Sequence, residues 1–439
     1  MGPHNSIPAE IQVIILAGGK GSRSNDPLIP KALQSIWAGK TVLELQLDAL
    51  AKAGFMHVCL LLGHLAEQIT NYLGEISHRY PTLSIEHLID EKDACGTSQS
   101  VSGAVRHLGS DRDFLLLLGD TVLSAPLEQY LRRWNESKAG LGVLCHPNLH
   151  LSDSDTLLLD QNNKIIKFQE KGRGTELPPG FLVQAATGAL FFSSKAAKGI
   201  VGSTGDVTKE LIANSLLDTS GVGIVATHYF RDSGTSDRLN AIRADFSDGS
   251  AVRRGGRNRA ALLIDRDNTL IADAGTSRST IAEIEISNGV PQAIQNFNKH
   301  GIPVFVVTNQ PGIAKGQITE SDVFSVHNEL SNYLSKHGAL IDGLYFCPHH
   351  PEHGFEGEIA TLKISCKCRK PGNGMLVALA NDHGIDLGKS VLIGDSDSDA
   401  EAAAKSDCTF KSASWDGSTA SLTSIVMLET LQEMIHDSK

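Results

Sequence analysis

The sequence predicts two successive α/β domains, and three observations carry that expectation. Short apolar runs of strand length alternate with helical patterns almost from end to end. The alternation breaks once, over residues 244–258, in a stretch rich in Gly, Ser and charge that reads as a linker. A second strand–helix series then starts afresh. The chain has 439 residues, enough for two or three domains at roughly 100–200 residues each. The boundaries expected are 11–243 and 259–436.

In the first domain, strands are expected over 12–17, 57–62, 83–87, 114–119, 140–145, 156–160, 186–192 and 223–230. Residues 42–53 place their apolar side chains at helical spacing. Such strands, separated by helices, predict a mostly parallel sheet covered on both faces. In the second domain the expected strands are 260–264, 304–308, 343–346 and 390–393, with helices over 290–300 and 320–337.

Composition excludes several functional classes. Apolar residues make up 41% and charged residues 20%, values of an ordinary folded protein rather than a disordered one. No apolar run approaches the roughly 18 residues of a membrane span. A net charge of -11 without a long Lys/Arg run argues against nucleic acid or an anionic membrane as the main partner. Residues 1–10 carry no basic and apolar signal pattern. Together with an odd count of 7 cysteines, this leads us to expect a reducing, cytoplasmic compartment. Homo-oligomerisation is compatible with this reading.

The first strand runs into Leu16-Ala17-Gly18-Gly19-Lys20-Gly21-Ser22-Arg23, followed by Pro30-Lys31. Gly18, Gly19 and Gly21 let the backbone approach a ligand, and successive N–H groups of such a turn can cradle phosphate. Arg23 and Lys31 add positive charge where a triphosphate would lose pyrophosphate. The string is neither a Walker loop nor a dinucleotide fingerprint. It resembles the signature of the sugar nucleotidyltransferases, and the resemblance extends over most of residues 11–240. Further stretches fall in the expected order. Gly96-Thr97 resembles the segment facing the base, Gly119-Asp120 the metal-binding aspartate, and Glu170-Lys171 the pair that handles the sugar phosphate. The late motif Tyr229–Thr235 would bring in a second metal carboxylate, Asp232. The resemblance implies a Rossmann-like (GT-A-like) sheet and Mg²⁺ between Asp120 and Asp232. In place of the family's usual leucine after the arginine, this chain has Ser24, and its loop to Lys31 contains Asn25 and Asp26.

The second domain opens with an apolar strand ending in Asp265-Arg266-Asp267-Asn268-Thr269. Two carboxylates two residues apart at a strand end can share one ion and one phosphate. The first can attack phosphorus, and the second can move the proton. Later come Thr308-Asn309-Gln310, Arg369-Lys370-Pro371 and the acidic strand end Gly394–Asp399. The four fragments in this order resemble the haloacid-dehalogenase-type (HAD-like) phosphatases, which implies a Rossmannoid fold. The resemblance makes Asp265 the nucleophile and Asp267 the general acid/base. It gives Asp265, the Asp267 backbone and Asp395 to Mg²⁺, and Thr308, Asn309 and Lys370 to the phosphoryl group. Asp399 is either a further metal ligand or an orienter of Lys370. Asn268 replaces the usual glycine, and asparagine tolerates left-handed backbone better than most residues.

Cys347, His349, Cys366 and Cys368 form two ligand pairs around a glycine-containing loop. A Cys₃His set is a closed, structural Zn²⁺ site, although His350 and His353 are rival ligands. These motifs together resemble the zinc-containing branch of heptose 1,7-bisphosphate 7-phosphatases, in which the zinc loop shapes the substrate entrance and Arg369 contacts substrate. The fusion itself suggests consecutive steps. A 7-phosphatase leaves heptose 1-phosphate, and a guanylyltransferase-like domain would join it to a nucleoside triphosphate, GTP by inference from the route. Rival readings keep the folds but change the chemistry: a histidinol- or other sugar-phosphatase beside a cytidylyl- or uridylyltransferase, or a silent first domain.

Overall fold

A computed structural model of the chain describes residues 6–19, 28–90, 97–109, 111–147, 154–171, 181–200, 205–218, 220–272, 285–415 and 421–436. Two compact units emerge. The first comprises 1–146, 154–170 and 184–256, and the second comprises 147–153, 171–183 and 257–439.

Strands of the first unit are β1 Gln12–Leu16, β2 Ser35–Trp37, β3 Lys40–Thr41, β4 His57–Leu62, β5 Ser84–Ile89, β6 Phe114–Leu118, β7 Thr121–Ser124, β8 Leu141–His146, β9 Thr156–Leu159, β10 Ile165–Gln169, β11 Leu182–Phe192, β12 Gly221–Val225 and β13 Tyr229–Asp232. Nine of them form one sheet in the order β10-β9-β11-β6-β1-β4-β5, with β8 beside β11 and β12 beside β8. The half around β1, β4, β5 and β6 is parallel, as the sequence led us to expect. The other half is mixed, because β11 runs antiparallel to both β6 and β8, and β9 to β10. The expected segment 223–230 divides into β12 and β13, and β13 leaves the main sheet to pair with β7.

The helix Val42–Ala53 begins at a Thr41/Glu44 capping box and ends at Gly54 in the left-handed region. Its buried face includes Leu43, Leu47 and Leu50. Beyond residue 243 the structure departs from the expected linker. The helix Ser236–Ser247 continues, Gly249 turns the chain at φ +80°, and a helix Ser250–Gly255 follows. Phe246 and Ala251 are buried together, so a composition typical of a connection is here packed structure.

The second unit adds β14 Leu262–Ile264, β15 Val304–Asn309, β16 Gly343–Cys347, β17 Val391–Gly394 and β18 Thr409–Ser412. They form a fully parallel sheet in the order β16-β15-β14-β17-β18. Alternate residues of the central strands enter opposite cores: Leu262, Ile264, Val304, Val306 and Ile393 on one face, Leu263, Phe305, Val307 and Leu392 on the other. Burial on both faces is why these strands read as continuous apolar runs. The chain starts in the middle, builds outward to β16, then returns to the other side of β14. That reversal creates a topological switch point, where ligands of open α/β sheets bind beyond the carboxyl ends of the strands. Among the described residues, no helix is long and apolar enough to cross a membrane.

Candidate active sites

In the first unit the switch point lies between β1 and β6. Gly119 follows β6 directly and donates its N–H to Leu16 O at 2.8 Å. A Cβ there would lie 2.5 Å from the Leu16 carbonyl oxygen, so only glycine allows this approach. The turn that follows presents Asp120. Buried Gln46 clamps it, with Nε2 donating to Leu118 O at 2.9 Å and Thr121 O at 2.8 Å. Lys31 Nζ meets Asp120 Oδ2 at 2.9 Å. Asp232 ends β13 opposite Thr121 in the ladder, and Ser233 donates both its N–H and its hydroxyl to Asp120 O at 2.9 Å. Backbone pairing therefore brings Asp120 and Asp232 to one end of a two-stranded ladder. The Asp232 carboxylate accepts from Arg238 and from Gly234 N.

Other expected positions have partners that the sequence did not announce. Glu170 pairs with Lys209 at 3.0 Å, and Thr97 Oγ1 accepts from Val207 N at 2.9 Å. Gly18 packs against Gly63. Lys171 falls in the second unit while Glu170 falls in the first. Gly21, Arg23, Ser24, Asn25, Asp26 and Gly96 lie outside the described residues.

The second unit concentrates its polar residues at the ends of β14, β15 and β17. Asp265, buried, accepts from Arg266 N at 2.8 Å and from Lys370 Nζ at 3.0 Å. Lys370 also lies 2.5 Å from Asp399. One oxygen each from Asp265, Asp395 and Asp399 can gather within 4.8 Å of one another. Burial pushes the Asp265 carboxyl up to about 6, with Lys370 opposing the shift and Asp399 adding to it. Asp395 is also raised by burial, then by Asp399. Burial pulls the Lys370 ammonium down, but the two carboxylates outweigh it and leave the group above its ordinary value. Lys370 offsets part of the charge of these three carboxylates, whose hard oxygen donors could also hold Mg²⁺.

Gly394 makes room for this cluster, since a Cβ there would lie 2.5 Å from the Asp399 carboxyl. Asn268 sits at φ +58°, the left-handed turn for which glycine is the usual choice. The Asp267 carboxylate lies apart from the trio. It takes a double hydrogen bond from Arg266, with Nε and Nη2 each at 3.0 Å. Gln310 Nε2 at 2.7 Å and Thr308 Oγ1 at 3.3 Å complete its partners. Asn309, expected at the phosphoryl group, instead turns its amide on the Lys370 backbone. Its Nδ2 donates to Lys370 O, and its Oδ1 accepts from Lys370 N, both at 3.0 Å. Sequence reasoning missed this clamp and the Arg266 ion pair; a basic residue between two aspartates is the signal that could have suggested the second.

The four sulfur and nitrogen donors of Cys347, His349, Cys366 and Cys368 converge with separations of 3.2–3.5 Å. In a tetrahedral zinc–thiolate site, bonds of about 2.3 Å give donor edges of about 3.7 Å. The set is thus close to that shape, and soft thiolates with one imidazole suit Zn²⁺. His350 Nδ1 lies 3.4 Å from Glu352 O, and His353 pairs with Glu358, so the geometry selects His349. Arg369 follows Cys368 directly and lies 3.5 Å from His349 O.

Comparison with known proteins identifies relatives of both units. Residues 13–197 match the family of MobA-like NTP transferase domains, and residues 367–410 a HAD-hydrolase-like family. A D-glycero-beta-D-manno-heptose-1,7-bisphosphate 7-phosphatase from Rhodopseudomonas palustris is 38% identical over 148 residues, 33% of this chain and 78% of the relative. A D-glycero-alpha-D-manno-heptose-1,7-bisphosphate 7-phosphatase from Burkholderia mallei is 39% identical over 149 residues, 33% of this chain and 74% of that one. The solved structure of HddC from Yersinia pseudotuberculosis, complexed with GMP-PN, superposes with a TM-score of 0.44 at 21% identity. It covers 54% of this chain and 99% of its own.

Proposed function

Because the chain belongs to the family of the D-glycero-D-manno-heptose-1,7-bisphosphate 7-phosphatases, we propose that it is a bifunctional enzyme of nucleotide-activated heptose synthesis. It removes the 7-phosphate of the bisphosphate and then couples the resulting heptose 1-phosphate to a nucleoside monophosphate drawn from GTP. The observation that carries the reading is the meeting of Asp265, Lys370 and Asp395 beyond the carboxyl ends of β14 and β17, with Thr308 near the end of the adjacent β15.

In the second unit an Asp265 oxygen attacks the 7-phosphorus. The P–O bond to the sugar breaks, and Asp267 gives its proton to the departing alkoxide. Water then attacks the aspartyl phosphate and gives its proton to Asp267, and Asp265 leaves as a carboxylate. Lys370 and Thr308 bind the phosphoryl oxygens, and Asn309 positions Lys370 through its backbone. In the first unit the sugar phosphate oxygen attacks the α-phosphorus and pyrophosphate departs, with Arg23 and Lys31 offsetting the charge. No covalent intermediate is needed there, because positioning and electrostatics suffice. Mg²⁺ held by Asp265, Asp395 and the Asp267 backbone, and by Asp120 and Asp232, would supply neutralisation of phosphate charge. Zn²⁺ held by Cys347, His349, Cys366 and Cys368 would fix the loop that carries Arg369, leaving no open position for chemistry.

The testing experiment supplies heptose 1,7-bisphosphate, Mg²⁺ and each ribonucleoside triphosphate, with phosphate and pyrophosphate followed separately. The expected result is phosphate in every case and pyrophosphate with GTP. Phosphate without pyrophosphate under any triphosphate would leave the first unit silent. Asp120→Ala is expected to lower pyrophosphate release on the order of a hundredfold or more, as loss of a charge-stabilising group commonly does, and to leave phosphate release unchanged. Equal loss of both products in that assay would contradict independent sites.

A further inference from the structure

Adjacent residues usually point to opposite sides of an extended chain, yet Arg266 and Asp267 form a double hydrogen bond across a single peptide. The turn after β14 makes this possible. The Arg266 carbonyl accepts from the N–H groups of Leu270 at 2.9 Å and Ile271 at 3.1 Å, which folds the chain back on this residue. Arg266 is only 4% exposed. A buried guanidinium is costly unless paired, and Asp267 is the one carboxylate paired with it among the described residues. Its other charged-type neighbour, His327, is fully buried. Burial and the Arg266 charge push that imidazole down to about 4, so it stays neutral and draws nothing from the ion pair. Gln310, 5% exposed, donates one Nε2 to both Asp267 Oδ2 and Thr308 Oγ1, while its own N–H is fixed on Cys347 O at 2.8 Å.

We propose that Arg266 and Gln310 are positioning residues of the phosphatase, which hold the Asp267 carboxylate in one orientation for proton transfer. The inference rests on the reading of Asp267 as the acid/base. The Arg266 side chain and Gln310 bond to Asp267 rather than to the trio of Asp265, Asp395 and Asp399, which Arg266 meets only through its backbone N–H on Asp265 at 2.8 Å. Arg266, paired with the Asp267 carboxylate, therefore acts on the step in which that carboxylate takes the proton of the attacking water, whereas Gln310 reaches both Asp267 and Thr308. For Arg266 such a role predicts a split between turnover and affinity.

The test uses the full chain with Mg²⁺ and heptose 1,7-bisphosphate. Arg266→Gln is expected to lower kcat about ten- to a hundredfold, a fraction of the gain that acid–base catalysis contributes, with KM changed less than about twofold. Arg266→Lys keeps the charge and should recover part of that loss, though not the planar fork. Gln310→Met matches the side chain in size, lacks the donor to Asp267 and Thr308, and removes no buried charge; a lowered kcat is expected, and KM should rise as well because Thr308 loses its partner. Wild-type kcat in Arg266→Gln and Gln310→Met would overturn the proposal. So would a fall in kcat that Arg266→Lys does not recover and that tracks a lowered melting temperature. Asp267→Asn separates the two levels: if that variant turns over normally, the acid/base reading fails and the clamp has nothing to position.

Discussion

Replacing Asp265 with Asn is expected to abolish release of inorganic phosphate from heptose 1,7-bisphosphate, on the order of ten thousandfold or more. Pyrophosphate release from GTP and heptose 1-phosphate should continue. The amide cannot form the acyl phosphate, so the loss belongs to chemistry rather than binding. Folding should survive the change. Asp265 is buried beside Asp399, and burial holds its carboxyl above the ordinary range, so ionising it in place is unfavourable. An uncharged amide of the same size removes that penalty, while Lys370 keeps Asp399 at 2.5 Å and the Val307 carbonyl at 2.9 Å. The melting temperature of Asp265→Asn should therefore equal or exceed that of the parent. Phosphate release at the parent rate would sink the nucleophile assignment. Loss of both products from a variant that melts normally would show that the two chemistries depend on one site.

How much of this could be read from the sequence depended on burial. The central strands β1, β6, β14, β15 and β17 are covered on both faces, so their apolar runs stand out. β10 and β18 escaped notice because each has polar or exposed positions, such as Lys167 and Thr409, at the margin of its sheet. The same logic holds for the sites. Asp120, Asp265 and Asp395 follow apolar strands directly, and strand ends of parallel sheets are where ligands bind. Partners supplied by distant elements leave no local trace: the Gln46 clamp beneath Asp120, Lys209 beside Glu170, and the amide of Asn309 turned onto the Lys370 backbone. The expected linker 244–258 does contain the boundary between the units at 256/257, but its helices went unread for a related reason, since composition does not report that Ala251 is buried in one cluster with Phe246 and Ile242.

Stripping zinc is the second large effect expected, and the geometry says which contacts it should spare. The two ligand pairs close a loop from Cys347 to Cys368, and Cys347 itself ends β15's neighbour β16. Ligation of thiolates and imidazole in small folds is worth roughly 10–16 kcal/mol, which is folding free energy when the site does not form without metal. Loss of the ion would leave three thiols and an imidazole crowded at 3.2–3.5 Å. Burial raises the Cys347 thiol, so without a cation that sulfur has no favourable charged state. The loop should then open, and Arg369, adjacent to Cys368, should go with it. Lys370 is held differently, by both backbone bonds to Asn309 and by Asp265 and Asp399. Metal-free protein, or Cys366→Ser, should accordingly lose affinity for heptose 1,7-bisphosphate before it loses turnover at saturation, and should show a lower melting transition. Metal analysis should give about one zinc per chain, as a closed four-ligand site requires. An unchanged melting profile after verified zinc removal would refute the structural site. An unchanged KM would instead refute the claim that the loop carries Arg369 to the substrate.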